Sequence, residues 1–193
     1  MRSGANAPGT GGGGMDDEAA RREAALYAAL DRLGIAHRTV EHEAVFTVAE
    51  SAPVKAALPG GHAKTLLVTD RRTPFLIAAL GSARVDLKRV ARIVGARGRL
   101  SFAGPDALRE TLGLTPGSVT PFGLLHEGAS RIGSVVLDEA LLTYDPVWFH
   151  PLRNTASTAV SPEGLERFCE AHAKAVITVP LASREPVTGS GSS

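Results

Sequence analysis

Ala63-Lys64-Thr65-Leu66-Leu67-Val68-Thr69-Asp70-Arg71-Arg72-Thr73-Pro74-Phe75-Leu76-Ile77-Ala78-Ala79-Leu80 contains two apolar runs, Ala63 to Thr69 and Pro74 to Leu80, around a polar tetrad. Short apolar runs bounded by a charged turn read as neighbouring strands, so the segment predicts a hairpin in the core of a sheet.

Outward on the N-terminal side, Leu26, Leu30 and Leu33 recur at helical spacing. Asp16, Asp17 and Glu18 suit the positive end of a helix dipole and Gly34 suits its stop, which predicts a helix over about 16–33. Ile35 to Val40 reads as a short strand. Thr47 to Val54 reads as a short helix with Thr47 and Glu50 at capping-box spacing.

On the C-terminal side, Asp86 caps a predicted helix whose buried stripe is Leu87, Val90, Ile93 and Val94. Arg99 to Phe102 is a brief strand, and Pro105 opens a helix that stops at Gly113. Ser134 to Leu142, Val147 to His150 and Thr155 to Val160 read as further strands. Ser161-Pro162 starts a helix with Leu165, Phe168, Cys169 and His172 on its apolar face, and Ala175 to Val179 is a last strand. Strands and helices interleave irregularly, so the fold class is α+β: one compact domain over 16–181 with a mixed sheet flanked by helices. The Gly-rich residues 1–15 and the Gly/Ser-rich end, 182–193, carry too little apolar side chain to offset their ordering entropy and read as disordered tails.

The chain has 193 residues, 44% of them hydrophobic and only 5% aromatic, so its core is built mainly from Leu, Val, Ile and Ala. A net charge of +1 removes any global polycation argument for nucleic acid and leaves only local surfaces. Cys169 is the only cysteine, which excludes an internal disulfide and argues against a cysteine-based zinc site. A reducing, cytoplasmic location is the expectation, with no apolar run long enough to span a bilayer and no signal-peptide stretch at residues 1–14.

Lys64 is a lone cation at the start of an apolar strand. Lysines there often act as solvated gatekeepers; in a partly dry cleft the ammonium instead binds a carbonyl, a phosphate or a terminal ribose. Gly117-Ser118-Val119-Thr120-Pro121 is either a plain turn after a helix or a loop whose glycine admits a ligand to the backbone N–H groups of Ser118, Val119 and Thr120. His150 and Asn154 follow, with Thr155, Ser157 and Thr158 beside them. Ser157 and Thr158 read as satisfying strand-edge backbone, and His150 as a general acid or base or a pocket wall. No carboxylate at fixed spacing completes a Ser/His/Asp triad.

The six histidines show no metal-ligand spacing, and His37 and His42 fall on opposite faces of a strand. No dinucleotide fingerprint or Walker A sequence is present. Arg84, Lys88, Arg89, Arg92, Arg97 and Arg99 form a basic cluster opposed only by Asp86, either a solvated helix face or a phosphate-contacting footprint.

Together, Lys64-Thr65-Leu66, the run from Leu112 through Gly117–Pro121 to Gly123, and His150-Pro151-Leu152-Arg153-Asn154-Thr155 resemble the YbaK/prolyl-tRNA-synthetase-associated domain family. The subgroup is the freestanding prolyl-tRNA editing proteins of the alanine-specific type, and the resemblance spans about Ala24 to Val179. It implies an α+β domain with a strongly curved mixed sheet and hydrolysis of alanine from tRNA for proline, with possible docking on prolyl-tRNA synthetase. It implies roles for Lys64 and Gly117 at the reacting ester. Around the aminoacyl group it implies Thr65, Ser118, Val119, Thr120, Pro121, Phe149, His150 and Asn154. For the basic helix it leaves Arg84, Lys88, Arg89 and Arg92 as tRNA contacts. No cofactor or metal is implied, because the 2′-OH of the terminal ribose helps to deliver water. Relatives often carry Asn after the lysine where this chain has Thr65, which bears on amino-acid specificity. The competing readings are a non-catalytic tRNA- or synthetase-binding module, and a deacylase for tRNA carrying serine, cysteine or threonine.

Overall fold

The computed structural model describes residues 13–44 and 56–181. The expected helix over Thr47–Val54 and nearly all of both expected tails lie outside the described residues. The hairpin stands at the centre: β2 (Gly61–Thr69) and β3 (Pro74–Leu80) pair antiparallel, with Lys64 opposite Ala79 and Val68 opposite Phe75. Asp70 fixes its turn. One carboxylate oxygen accepts the backbone N–H groups of Thr73 and Arg72 at 2.8 and 3.0 Å, and the other accepts that of Arg97 at 2.9 Å. These donors, Thr73 foremost, hold the Asp70 carboxyl below its usual range.

Around the hairpin the chain runs α1 (Gly13–Arg32), β1 (His37–Glu41), then β2 and β3, α2 (Leu87–Ile93), β4 (Ser101–Phe102) and α3 (Pro105–Leu112). Two 3-10 turns, Pro121–Leu125 and Glu127–Arg131, lead to β5 (Val135–Asp138), α4 (Glu139–Leu142), β6 (Val147–Phe149), β7 (Ala156–Val160), α5 (Pro162–His172) and β8 (Val176–Val179). The strands form one mixed sheet ordered β1-β7-β6-β2-β3-β5-β8, with β4 paired to the end of β2. β6 runs parallel to β2, and β5 lies parallel to both β3 and β8.

Alternation along each strand divides the core between two faces. The first face presents Leu67, Leu76, Leu137, Val147 and Phe149 to α1, α5 and the first 3-10 turn. There Phe122 meets Phe149 and Phe168 edge-on, with ring centroids 5.9 and 5.3 Å apart. The second face presents Val68, Ile77, Ala79 and Val136 to α2, and further along it Trp148 packs with Leu58 and Ala159.

Three expectations change. The run from Ser134 to Leu142 is a strand only to Asp138. There the Asp138 carboxylate accepts the Ala140 N–H, and Glu139-Ala140-Leu141-Leu142 turns into a helix of good helix formers. The stripe of α2 is Leu87, Val90, Ala91 and Val94, because the helix sits rotated so that small Ala91 takes the place foreseen for Ile93. Helix α1 starts at Gly13, taking in residues assigned to the tail, since extension from a formed helix costs little once its nucleus exists.

Candidate active site

The registers of five strands bring polar side chains into one transverse row on the second face. Lys64 of β2 lies opposite Ala79 of β3, and Ala78 lies opposite Leu137, so one further step sets Ala79 beside Asp138 of β5. On the other side, His62 lies opposite Trp148, where the pairing of β2 with β6 ends, and His150 follows just beyond β6 on the Trp148 side. Phe149 lies opposite Thr158, so the next step sets His150 beside Ser157 of β7. The row on this face therefore has two parts, Ser157 with His150 on one side and Lys64, Ala79 and Asp138 on the other. With strands about 4.8 Å apart, the backbones of Lys64 and Asp138 stand roughly 10 Å apart, and Ala79 between them is small enough to leave room for their side chains to approach.

Lys64 is half-buried, and its ammonium donates to the carbonyl of Ala83. Burial pulls its pKa below the ordinary lysine range, while the Asp138 charge pulls it back up. Asp138 is fully buried. Its Oδ1 accepts the N–H of Leu181 at 3.0 Å and of Ala140 at 3.4 Å, and its Oδ2 has no hydrogen-bond partner. A fully buried carboxylate oxygen without a partner among the described residues, on the same face as a half-buried ammonium, is an unspent acceptor inside the protein.

His150 Nδ1 lies 2.8 Å from the Ala156 carbonyl. A carbonyl only accepts, so Nδ1 carries the hydrogen and Nε2 of the neutral ring offers a lone pair. Burial above all, with a further push from His42, lowers the His150 pKa below the usual histidine value. The two rings are 6.0 Å apart. His42 in turn lies 2.8 Å from the Glu43 carbonyl through Nδ1 and 2.9 Å from the Ser157 hydroxyl through Nε2, which fixes its tautomer in the same way.

The His150–Thr155 loop is held by Arg153. Its guanidinium donates to both carboxylate oxygens of Glu23 on α1, at 2.7 and 3.0 Å, and to both of Glu41 on β1, at 2.7 and 2.5 Å. It also donates to the Thr155 hydroxyl at 2.7 Å. Bidentate pairs of this kind fix direction as well as distance. Asn154 is half-buried within the loop.

The Gly117–Pro121 loop stands on the first-face side, where Val119 packs against the main core. Gly117 is exposed with φ +90°, a conformation suited to glycine. Of the three N–H groups foreseen for a ligand, that of Ser118 is spent on the Thr115 carbonyl at 3.2 Å. Those of Val119 and Thr120 have no partner among the described residues. Thr120 is fully buried and caps the 3-10 turn that Pro121 opens. Phe149 is 4% exposed and belongs to the core rather than to the polar row, because alternation turns it away from Trp148 and His150. Its contact with Phe122 nevertheless joins the loop to β6 immediately before His150. Thr65 also faces the first side, opposite Ala78, and its buried hydroxyl has no partner.

The basic residues sit beside the row. Ala83, which accepts from Lys64, directly precedes Arg84, and Arg84, Lys88 and Arg92 are exposed while Arg89 is half-buried. Cys169 is buried, which pushes its thiol up to about 12 and makes it unsuitable as a nucleophile. Among the described residues no group of three His, Cys, Asp or Glu side chains is placed to hold a metal ion, and no helix is long and apolar enough to cross a membrane. Asp138, His42, Ser157 and Arg153 escaped the sequence reading. An acidic residue between an apolar strand and helix-forming residues was a signal for Asp138; the others depend on the β1–β7 register and on contacts far apart in sequence.

A model of the aminoacyl-tRNA editing domain matches residues 42–168. The chain is 32% identical over 159 residues to the prolyl-tRNA editing protein ProX of Acetoanaerobium sticklandii, covering 81% of this chain and 96% of that protein. It is 34% identical to prolyl-tRNA synthetase associated domain-containing protein 1 of Bos taurus, covering 77% and 89%. A crystal structure described as a candidate trans-editing enzyme for prolyl tRNA synthetase superposes with a TM-score of 0.67 at 29% identity, covering 86% of this chain and 98% of the other.

Proposed function

The chain belongs to the aminoacyl-tRNA editing domain family, and from that premise we propose that it is a trans-editing deacylase that removes alanine from tRNA for proline. The observation that carries the reading is the transverse row, where a half-buried ammonium, a neutral imidazole and a buried carboxylate lie on one face.

In this proposal the charged 3′ end enters over α2 and its ester carbonyl approaches the Lys64 ammonium. Positive charge there stabilises the oxyanion that forms when water adds to the carbonyl carbon. The bond to the ribose oxygen then breaks, that oxygen takes a proton, and free amino acid and tRNA leave. The 2′-OH of the ribose helps to deliver the water, and the His150 Nε2 lone pair accepts a hydrogen bond from it or from the amino group of the substrate. The buried Asp138 charge offsets the desolvation of the ammonium and so helps to keep it charged. The Gly117–Pro121 loop stands on the other side of the sheet from Lys64, and it is assigned no contact with the reacting ester in this proposal. The step needs no bound metal, and the site works in the cytoplasm on mischarged tRNA, alone or beside prolyl-tRNA synthetase. This work is assigned to the domain 16–181.

A synthetase pocket rejects a smaller apolar substrate weakly by contact alone, which is the reason for a second hydrolytic site. Single-turnover hydrolysis of alanyl-tRNA and prolyl-tRNA of the same tRNA, with and without chelator, tests the proposal. Alanine should leave much faster, with no loss on chelation. Equal rates, a preference for a serine-, cysteine- or threonine-charged tRNA, or dependence on metal would overturn the corresponding part. Gly117→Val should slow both substrates, since a β-branched residue resists φ +90°.

A further inference from the structure

Phe102 is the most exposed large apolar side chain in the described structure, at 64%. It lies opposite Val68 in the β2–β4 register, and cross-strand partners point to the same face. Val68 is buried under α2, so Phe102 stands on the second face, the one that carries Lys64. Lys64, Leu66 and Val68 alternate along β2, which places Phe102 beside a point about 13 Å along the strand from Lys64.

A cavity of about 740 Å³ opens between α2 and the segment leading into β4. Val85, Leu87, Ala91 and Leu100 give it apolar walls, and Lys88 and Arg99 stand at its lining. The nearby acid is already engaged: the Asp86 carboxylate accepts the N–H groups of Lys88 and Arg89 at 2.9 and 3.2 Å. Among the described residues none of Arg84, Lys88, Arg89, Arg92, Arg97 and Arg99 has a carboxylate within ion-pairing distance. An open aromatic face, an apolar groove and a run of unpaired cations together make a binding surface for single-stranded nucleic acid: bases stack on the ring and phosphates meet the cations.

We propose that the α2–β4 groove and Phe102 bind the unpaired nucleotides that precede the charged terminal adenosine, with one base stacked on Phe102. This rests on the reading of the Lys64 row as the deacylation site and adds where the strand leading to it is held. The apolar walls accept a base edge, while Arg99 and Lys88 take its flanking phosphates. Stacking on a ring is tolerant of base identity, so the groove grips the strand without reading it.

The test is binding of a single-stranded RNA hexamer ending in CCA, measured by fluorescence anisotropy across a salt series, for the parent, Phe102→Ala, Phe102→Trp and Arg99→Gln. Phe102→Ala should weaken binding about tenfold with an unchanged salt slope, and Phe102→Trp should restore it. Arg99→Gln should flatten the salt slope. Because Phe102 is exposed, thermal unfolding should confirm that all variants are folded. Parent-like binding by Phe102→Ala would overturn the inference, as would equal weakening toward a blunt duplex lacking a single-stranded end. Loss of prolyl-tRNA synthetase binding in place of RNA binding would overturn it too, by making the patch a protein surface. Hydrolysis of alanyl-tRNA by the parent is measured alongside. RNA binding as expected without hydrolysis would defeat the deacylase reading and leave the strand-binding surface standing.

Discussion

The two faces of one sheet are built from the same strands and both bury apolar side chains, but only the second also carries the polar row. Leu67 and Phe149 point into a closed apolar core, while Lys64 on β2 and His150 just past β6 lie on the opposite face. A strand with a two-residue repeat thus gives one set of positions wholly to the core and divides the other between core and chemistry. The lesson is that position parity, more than proximity in sequence, separates residues that hold the fold from residues that face a substrate.

The most severe way to break the contrast is to empty the first face. Phe168 is fully buried and packs edge-on to Phe122, so Phe168→Ala should cost about 3–5 kcal/mol of stability, read by urea denaturation. Hydrolysis at low temperature should fall only in proportion to the folded fraction.

Substitution on the second face should do the reverse. Lys64→Ala should lower single-turnover deacylation by at least about tenfold, equal to about 1.4 kcal/mol of transition-state stabilisation. Its unfolding midpoint should stay near that of the parent. An unchanged rate, or a loss explained by unfolding, would erase the distinction between the faces.

The finest test uses pH. Burial already lowers the Lys64 pKa and Asp138 offsets this, so Asp138→Asn should lower it further and move the alkaline limb of the rate profile to lower pH. The His150 pKa is depressed, so the neutral ring persists below the ordinary histidine value and the acidic limb should lie below about pH 6.5. The same depression means that stability contributed by the neutral ring is present above the unfolded pKa and is lost as pH falls toward the folded one. His150→Gln should remove that acidic limb.

Much of this organisation was legible in the sequence. The apolar runs at Ala63–Thr69 and Pro74–Leu80 specified the hairpin, Ser161-Pro162 specified the start of α5, and Lys64 and His150 stood out by residue type. What was not legible required registers between distant strands. Pairing His42 with Ser157 depends on β1 lying against β7, and setting Asp138 beside Lys64 depends on β3 lying between β2 and β5. The Val147–His150 segment shows why composition misleads: Phe149 and His150 are adjacent in sequence, yet one is core and the other belongs to the polar row. The middle loop was recognisable by its glycine and prolines, but the diversion of the Ser118 N–H into its own turn follows only from three-dimensional geometry.

Arg153 ties together a helix near the N-terminus, the first strand and the loop after β6. An esterase that acts on charged tRNA is dangerous when half-formed, because a loosely shaped site would waste correctly charged molecules. One guanidinium meets Glu23, Glu41 and Thr155 at once, so the form of the loop is tied to segments far apart in sequence. The clamp thus couples the shape of the loop after β6 to the seating of α1 and β1.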